Sequence, residues 1–248
     1  MGTMKNAGFT MRRYTWGCWL FGVCALFCAA LFAAPPVTNE MRAGGFFTQG
    51  DAKKPFFALT FDDGPGYITP DLLKLLEKYE VKASFFMLGS AVAAYSQKAV
   101  AVARAGHLVG NHTYSHKNYF VLDKSPDKEK ILEAELLKAQ AEIEKISGTR
   151  PVFLRMPNGY HRAWVSRVAA KSGYALVNWT YGSDWHKIPE EEMAEGYIKN
   201  LKPGAVLLLH DGGGKAKEKN LRIVERLLTE ARKRGLKAVR LDELPGIK

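Results

Sequence analysis

A chain of 248 residues is long enough for one domain with a substantial core, and 47% apolar with 25% charged residues excludes wholesale disorder. The formal net charge of +11 favours an anionic partner, but basic residues alternate with acidic ones and no arginine stripe or aromatic-basic pattern appears, so nucleic acid is not expected. All three cysteines, Cys18, Cys24 and Cys28, lie in one apolar N-terminal run, which excludes a disulfide framework and a cysteine zinc site from the folded part.

Arg12 and Arg13 precede Tyr14 to Ala34, a stretch without a charge, and Pro35-Pro36 follows. That order fits a secretory signal, and about 20 apolar residues also suffice to span a bilayer. Leu31 and Phe32 lie two positions upstream of Ala33 and Ala34, a poor small-x-small site, so cleavage and retention as an anchor both stay open. Residues 1–34 therefore read as signal peptide or membrane anchor, 35–52 as a linker rich in Pro, Gly, Thr and Asn, and 53–248 as the folded domain. Export to the periplasm or the exterior is expected, with the membrane touched only through this first segment.

Phe56 to Phe61 reads as a buried strand ending in the turn signal Asp62-Asp63-Gly64-Pro65. Leucines at helical spacing after Pro70 give a helix to Tyr79, Ala83–Leu88 a strand, Ala91–Ala105 a helix stopped by Gly106, and Leu108-Val109 another strand. Lys128–Ile146 is a long charged helix, and Phe153-Leu154 is a short strand running into Arg155-Met156-Pro157-Asn158-Gly159. Helix 162–172, strand 174–179, helix 190–200, strand 205–209, helix 219–234 and strand 238–241 complete the order. Strands alternating with helices imply an α/β fold with mostly parallel pairing, a distorted or incomplete (β/α) barrel.

The polar residues fall at strand ends: Asp62-Asp63, His112, Arg155, Asp184 and His210-Asp211. In a parallel barrel the C-terminal strand ends share one rim, where active sites are built. His112 and His116, four residues apart, can aim two imidazoles at one ion from a helical turn or a compact loop. With a carboxylate they form a two-histidine, one-carboxylate set suited to Zn first, and also to Co, Ni or Fe. Taken singly, each feature has a plainer reading as a turn, a surface ion pair or a core aromatic. Their coincidence on one rim is what points to a site.

Thr60-Phe61-Asp62-Asp63-Gly64-Pro65 and His112-Thr113-Tyr114-Ser115-His116 resemble the first two signature motifs of the polysaccharide deacetylases, the NodB-homology or carbohydrate esterase 4 family. Arg155 to Gly159 resembles the third, Ser183-Asp184-Trp185 part of the fourth, and Val206 to Asp211 the fifth. The likeness runs from Phe56 to Leu244 and implies a NodB-type catalytic domain removing N-acetyl groups from an amino-sugar polysaccharide. The glycan would be peptidoglycan, a chitin-type oligomer or another envelope glycan, and a monomer is expected. The resemblance makes Asp63, His112 and His116 the ligands of one divalent metal, Asp62 the general base and His210 the acid. Arg155 would hold Asp62 and Asp184 would orient His210. Pro157, Asn158, Gly159, Trp185 and Leu208 would shape the substrate pocket, with an oxyanion-binding N–H near Asn158. The fourth motif departs from the pattern, with Tyr181 where a first aspartate usually stands. Alternative readings are a silent glycan-binding module and an amidase or esterase acting on non-sugar acyl groups.

Overall fold

A computed structural model describes residues 1–3 and 43–247. The chain divides into Met1–Leu31 and Phe32–Lys248, and the strands and helices of the described residues lie in the second unit. The proposed signal or anchor segment lies outside the described residues except for its first three positions. Among the described residues, no helix is long and apolar enough to cross a membrane.

The strands are β1 (Phe46–Phe47), β2 (Phe56–Gly64), β3 (Ser84–Met87), β4 (Leu108–Asn111), β5 (Phe153–Leu154), β6 (Ala175–Val177), β7 (Tyr181–Gly182), β8 (Val206–His210) and β9 (Lys237–Val239). They form one sheet in the order β1-β6-β5-β4-β3-β2-β8-β7, with β9 also on β2, and every pairing is parallel. No ladder among the described residues joins β7 to β6 or β1, so the barrel stays open there. The helices are α1 (Thr69–Lys78), α2 (Gly89–Ala94), α3 (Ser96–Arg104), α4 (Tyr119–Leu122), α5 (Lys128–Ser147), α6 (Ala163–Lys171), α7 (Glu190–Asn200) and α8 (Glu218–Lys233).

Strand periodicity sorts the interior. Phe57, Leu59 and Phe61 of β2, with Phe85, Met87, Leu207 and Leu209, share one core with α1 and α8 residues such as Leu72, Leu76, Ile223 and Leu227. The alternate positions Ala58, Phe86 and Val206 pack with Leu241, Leu244 and Ile247, so the C-terminal residues plug the barrel interior. Thr60, Asp62 and His210 continue this second row towards the strand ends. The interior thus grades from an apolar base to a polar mouth.

Three expectations shift. The helix expected over 91–105 is broken at Tyr95 (φ −127°, ψ 45°) into α2 and α3; its alanine-rich pattern carries too little phase information to mark the break. The strand expected over 174–179 ends at Val177, because the carbonyls of Val177 and Asn178 turn to accept from Arg155. Residues from 43 onward, read as linker, join the domain instead: β1 pairs with β6, and the Gly50 amide donates to the Gly204 carbonyl at 2.7 Å.

Candidate active site

The two carboxylates come from the end of β2, where regular pleating would send neighbouring side chains to opposite faces. The register of β2 against β3 shifts between Asp62 and Gly64, and Asp63 has φ 66°. This irregularity re-aims Asp63. Both carboxylates consequently face His112, whose Nε2 lies 3.3 Å from Asp63 Oδ1 and 3.8 Å from Asp62 Oδ2.

His112 follows β4, and its Nδ1 lies 2.7 Å from the Arg155 carbonyl oxygen. A carbonyl only accepts, so Nδ1 carries a proton, and in the neutral ring the lone pair lies on Nε2. His116 reaches the same Asp63 Oδ1 at 3.3 Å from its own Nε2. The histidine segment is a compact loop with Thr113 (φ 67°) and His116 (φ 54°) in the left-handed region. Glu135, from the buried stripe of α5, holds that loop by accepting from the amides of Tyr114 (3.1 Å) and Ser115 (2.7 Å) and from the Ser115 hydroxyl. Asn111 Oδ1 accepts from the Thr113 amide at 2.8 Å.

Ligand atoms of Asp63, His112 and His116 all lie within 4.8 Å of one another. Asp63 Oδ1 is buried and has no hydrogen-bond partner. A buried orphan carboxylate oxygen facing two imidazole nitrogens fits a divalent cation of the Zn class, whose ligands are nitrogen and oxygen. Burial alone would raise the Asp63 pKa, but the close approach of His112 and the charges of Lys215 and His116 hold it well below the usual carboxylate range. Burial likewise opposes charge on His112, yet Asp62 and Asp63 outweigh it and raise its pKa; burial and the neighbouring His112 lower that of His116.

Arg155 is fully buried, and four of its five N–H donors are engaged. Nη1 donates to Asp62 Oδ1 at 2.8 Å and to Thr60 Oγ1 at 2.9 Å, Nε to Val177 O at 3.0 Å, and Nη2 to Asn178 O at 3.1 Å. That set of acceptors makes a buried guanidinium tolerable. One oxygen of Asp62 is thereby anchored, and the other faces the centre.

On the opposite side, His210 pairs with Asp62 across the β2–β8 ladder. Its Nδ1 lies 2.9 Å from Asp184 Oδ1, and its amide donates to Asp184 Oδ2 at 2.8 Å. Asn220 of α8 ties the pair together, donating to Asp184 Oδ2 and to the His210 carbonyl, each at 2.8 Å. Tyr181, the departure from the fourth motif, points away from these groups: its ring meets Tyr197 edge-on at 5.1 Å, and its hydroxyl packs over Gly196. Asp184 therefore engages His210 without a second aspartate.

A cavity of about 170 Å³ opens on this centre, lined by Asn158, Trp179, Trp185 and Leu208 beside the polar groups. Trp185 stands edge-on to His210 at 5.5 Å. Pro157 and Gly159 are not among its lining residues. They shape the turn that presents Asn158 at φ 56°, with the Gly159 amide donating to Met156 O and Gly159 packed against Trp179.

Sequence reasoning missed Glu135, Asn220, Lys215 and the role of Asp211. Asp211 accepts from Thr69 Oγ1 at 2.6 Å, and burial, with Asp62 and Asp63 nearby, pushes its pKa up to about 7. Glu135 had one detectable signal, a carboxylate in the apolar stripe of a helix. Lys215 follows three glycines and offered none.

A family model described as polysaccharide deacetylase matches residues 49–177. The chain is 32% identical over 211 residues to a peptidoglycan-N-acetylglucosamine deacetylase of Bacillus cereus, covering 83% of this chain and 96% of that one. It is 32% identical over 156 residues to a chitooligosaccharide deacetylase of Bradyrhizobium, covering 62% and 69% respectively. Among solved structures, the Bc1960 peptidoglycan N-acetylglucosamine deacetylase superposes with a TM-score of 0.75 at 28% identity, covering 82% of this chain and 94% of that one.

Proposed function

The chain belongs to the polysaccharide deacetylase family and is a polysaccharide N-deacetylase; from that premise we propose that it acts on peptidoglycan or a related envelope glycan with Zn as its resident ion. Asp63, His112 and His116 would hold the metal. When bound, the ion supplies Lewis acidity towards the acetyl carbonyl and acidifies water at the site.

The residues divide the remaining work. Asp62, anchored through one oxygen by Arg155, takes a proton from the attacking water with the other. The water oxygen bonds to the acetyl carbon, and the Asn158 amide N–H supports the developing oxyanion. His210, aligned by Asp184, gives a proton from Nε2 to the sugar nitrogen as the C–N bond breaks. The products are acetate and a free amino sugar. Trp179, Trp185 and Leu208 give the acetyl methyl an apolar wall.

The observation that carries this reading is the meeting of His112 Nε2 and His116 Nε2 on one orphan oxygen of Asp63, with Asp62 and His210 on either side. Peptidoglycan is favoured by the relative that nearly the whole domain matches, which carries that substrate in its name. Export through residues 1–34 would bring the enzyme to such a glycan. Acetate release from peptidoglycan and from N-acetylglucosamine oligomers, measured with the metal content of the same protein, tests the proposal. Release from peptidoglycan by Zn-loaded protein supports it. Release from the oligomers alone overturns the substrate, and release from neither overturns the reaction.

A further inference from the structure

The Lys215 ammonium takes no part in the proton transfers of deacetylation, yet it stands inside the site. Its Nζ lies 3.3 Å from Asp63 Oδ2 and 3.3 Å from His210 Nε2. We propose that Lys215 is the anion-recognising residue of this site, and that it selects N-acetyl amino sugars bearing a carboxylate on the same ring. The proposal rests on the deacetylase reading and names the substrate class of that site.

Four observations carry it. First, among the described residues Lys215 is the one lysine or arginine lining the cavity. The other nearby cation, Arg155, is wholly buried, does not line the cavity, and has four of its five donors on protein acceptors. Second, both contacts of Lys215 are long for an ammonium, whose charge-assisted bonds usually close to about 2.7–2.9 Å. One of its three donors at least remains for a ligand. Third, the turn that delivers it is built for close approach. A Cβ on Gly213 (φ +61°) would stand 3.2 Å from Asp63 Oδ2, and one on Gly212 would collide with the Asp63 backbone.

The fourth is the charge balance. Arg155 offsets Asp62, and Asp184 faces His210. Asp63 has one oxygen towards the histidines and the other towards Lys215. A divalent ion held on the oxygen that faces the histidines would draw on the Asp63 charge and leave less of it to neutralise Lys215. A substrate carboxylate next to the acetamido group supplies the missing counter-charge. Sugars without one leave the ammonium unpaired.

The test uses the metal-loaded full chain and a short glycan of alternating N-acetylglucosamine and N-acetylmuramic acid, with the lactyl carboxylate either free or converted to the primary amide. Wild type should prefer the free acid by at least about 10-fold in kcat/KM, as expected for one charge-assisted hydrogen bond, with the difference residing mainly in KM. Lys215→Met should abolish that preference and Lys215→Arg should keep it. Calorimetric binding of the two glycans reads the same preference without turnover, which covers a slow variant. Equal handling of acid and amide by wild type, or an undiminished preference in Lys215→Met, overturns the assignment of Lys215 while acetate release upholds the deacetylase. No acetate from either glycan overturns both.

Discussion

The carbonyl oxygen of Arg155 lies 2.7 Å from Nδ1 of His112, while the guanidinium of the same residue reaches Asp62 at 2.8 Å. One residue thus serves two groups, its backbone placing a proton on Nδ1 of a histidine of the candidate metal site and its side chain anchoring the carboxylate beside it. Any residue at 155 keeps the carbonyl, so the two roles can be separated. Arg155→Met should retain metal binding and lose turnover, and should lower stability by about 3–5 kcal/mol because Asp62 is left buried without its partner. Urea unfolding and metal content measured on the same preparation check this. A variant as stable as wild type would contradict the buried pairing.

Asp184 receives three donors: the His210 amide, His210 Nδ1 and the Asn220 amide nitrogen. An asparagine at 184 must therefore turn its own NH₂ towards at least one of them. Asp184→Asn should reduce kcat by about 100-fold or more with little change in KM, since it misaligns a proton donor rather than a binding group. Steady-state acetate release gives both parameters. A rise in KM at constant kcat would place Asp184 in substrate binding instead.

Glu135 touches no candidate ligand, but it fixes the backbone of Tyr114 and Ser115 between His112 and His116. Removing such supporting groups usually costs metal sites about 10–100-fold in affinity. Glu135→Ala should weaken Zn binding by that amount in a chelator competition, and Glu135→Gln should weaken it less because it keeps an acceptor. Unchanged affinity in both variants would show that the loop holds itself.

His107 is 7% exposed, and its Nδ1 accepts from the Ala83 amide at 3.1 Å, which requires a neutral ring. Burial first, then Lys82 and Arg240, pushes its pKa down to about 4 from the ordinary 6.5. The unfolded chain therefore binds this proton more readily than the folded one. The stability His107 contributes is complete above about pH 6.5 and is lost as pH falls from there towards 4, a change of up to about 3 kcal/mol. Urea unfolding at pH 7.5 and 4.5 should show a larger loss for wild type than for His107→Gln. Equal losses would remove His107 as the cause.

The readable parts of this molecule are those where one residue type has one physical use. Glu190–Asn200 follows Pro189 with three glutamates in its first turn and a lysine in its last, and the expected and observed helix bounds coincide. The placement of Asp62, Asp63, His112, Arg155, Asp184 and His210 after apolar runs marks one rim from sequence alone. What stayed hidden depends on groups that meet only in three dimensions. The β2 irregularity that brings Asp63 beside Asp62 leaves no mark in the Asp-Asp pair itself. Tyr95 breaks a helix that alanine periodicity carries straight through. Phe46-Phe47 lies among glycines and polar residues that resemble a linker, and only β6 makes it a strand. Lys215 acquires its meaning from Asp63, which precedes it by 152 positions.

Hydrolysis should depend on a single divalent ion held by Asp63, His112 and His116. The most direct test is to strip the protein with a chelator and titrate Zn back while following acetate release from peptidoglycan. Activity should vanish on stripping and rise in proportion to added metal up to about one equivalent per chain, the stoichiometry of a mononuclear site. Full activity in the stripped protein, or a plateau reached only at two equivalents, would contradict it.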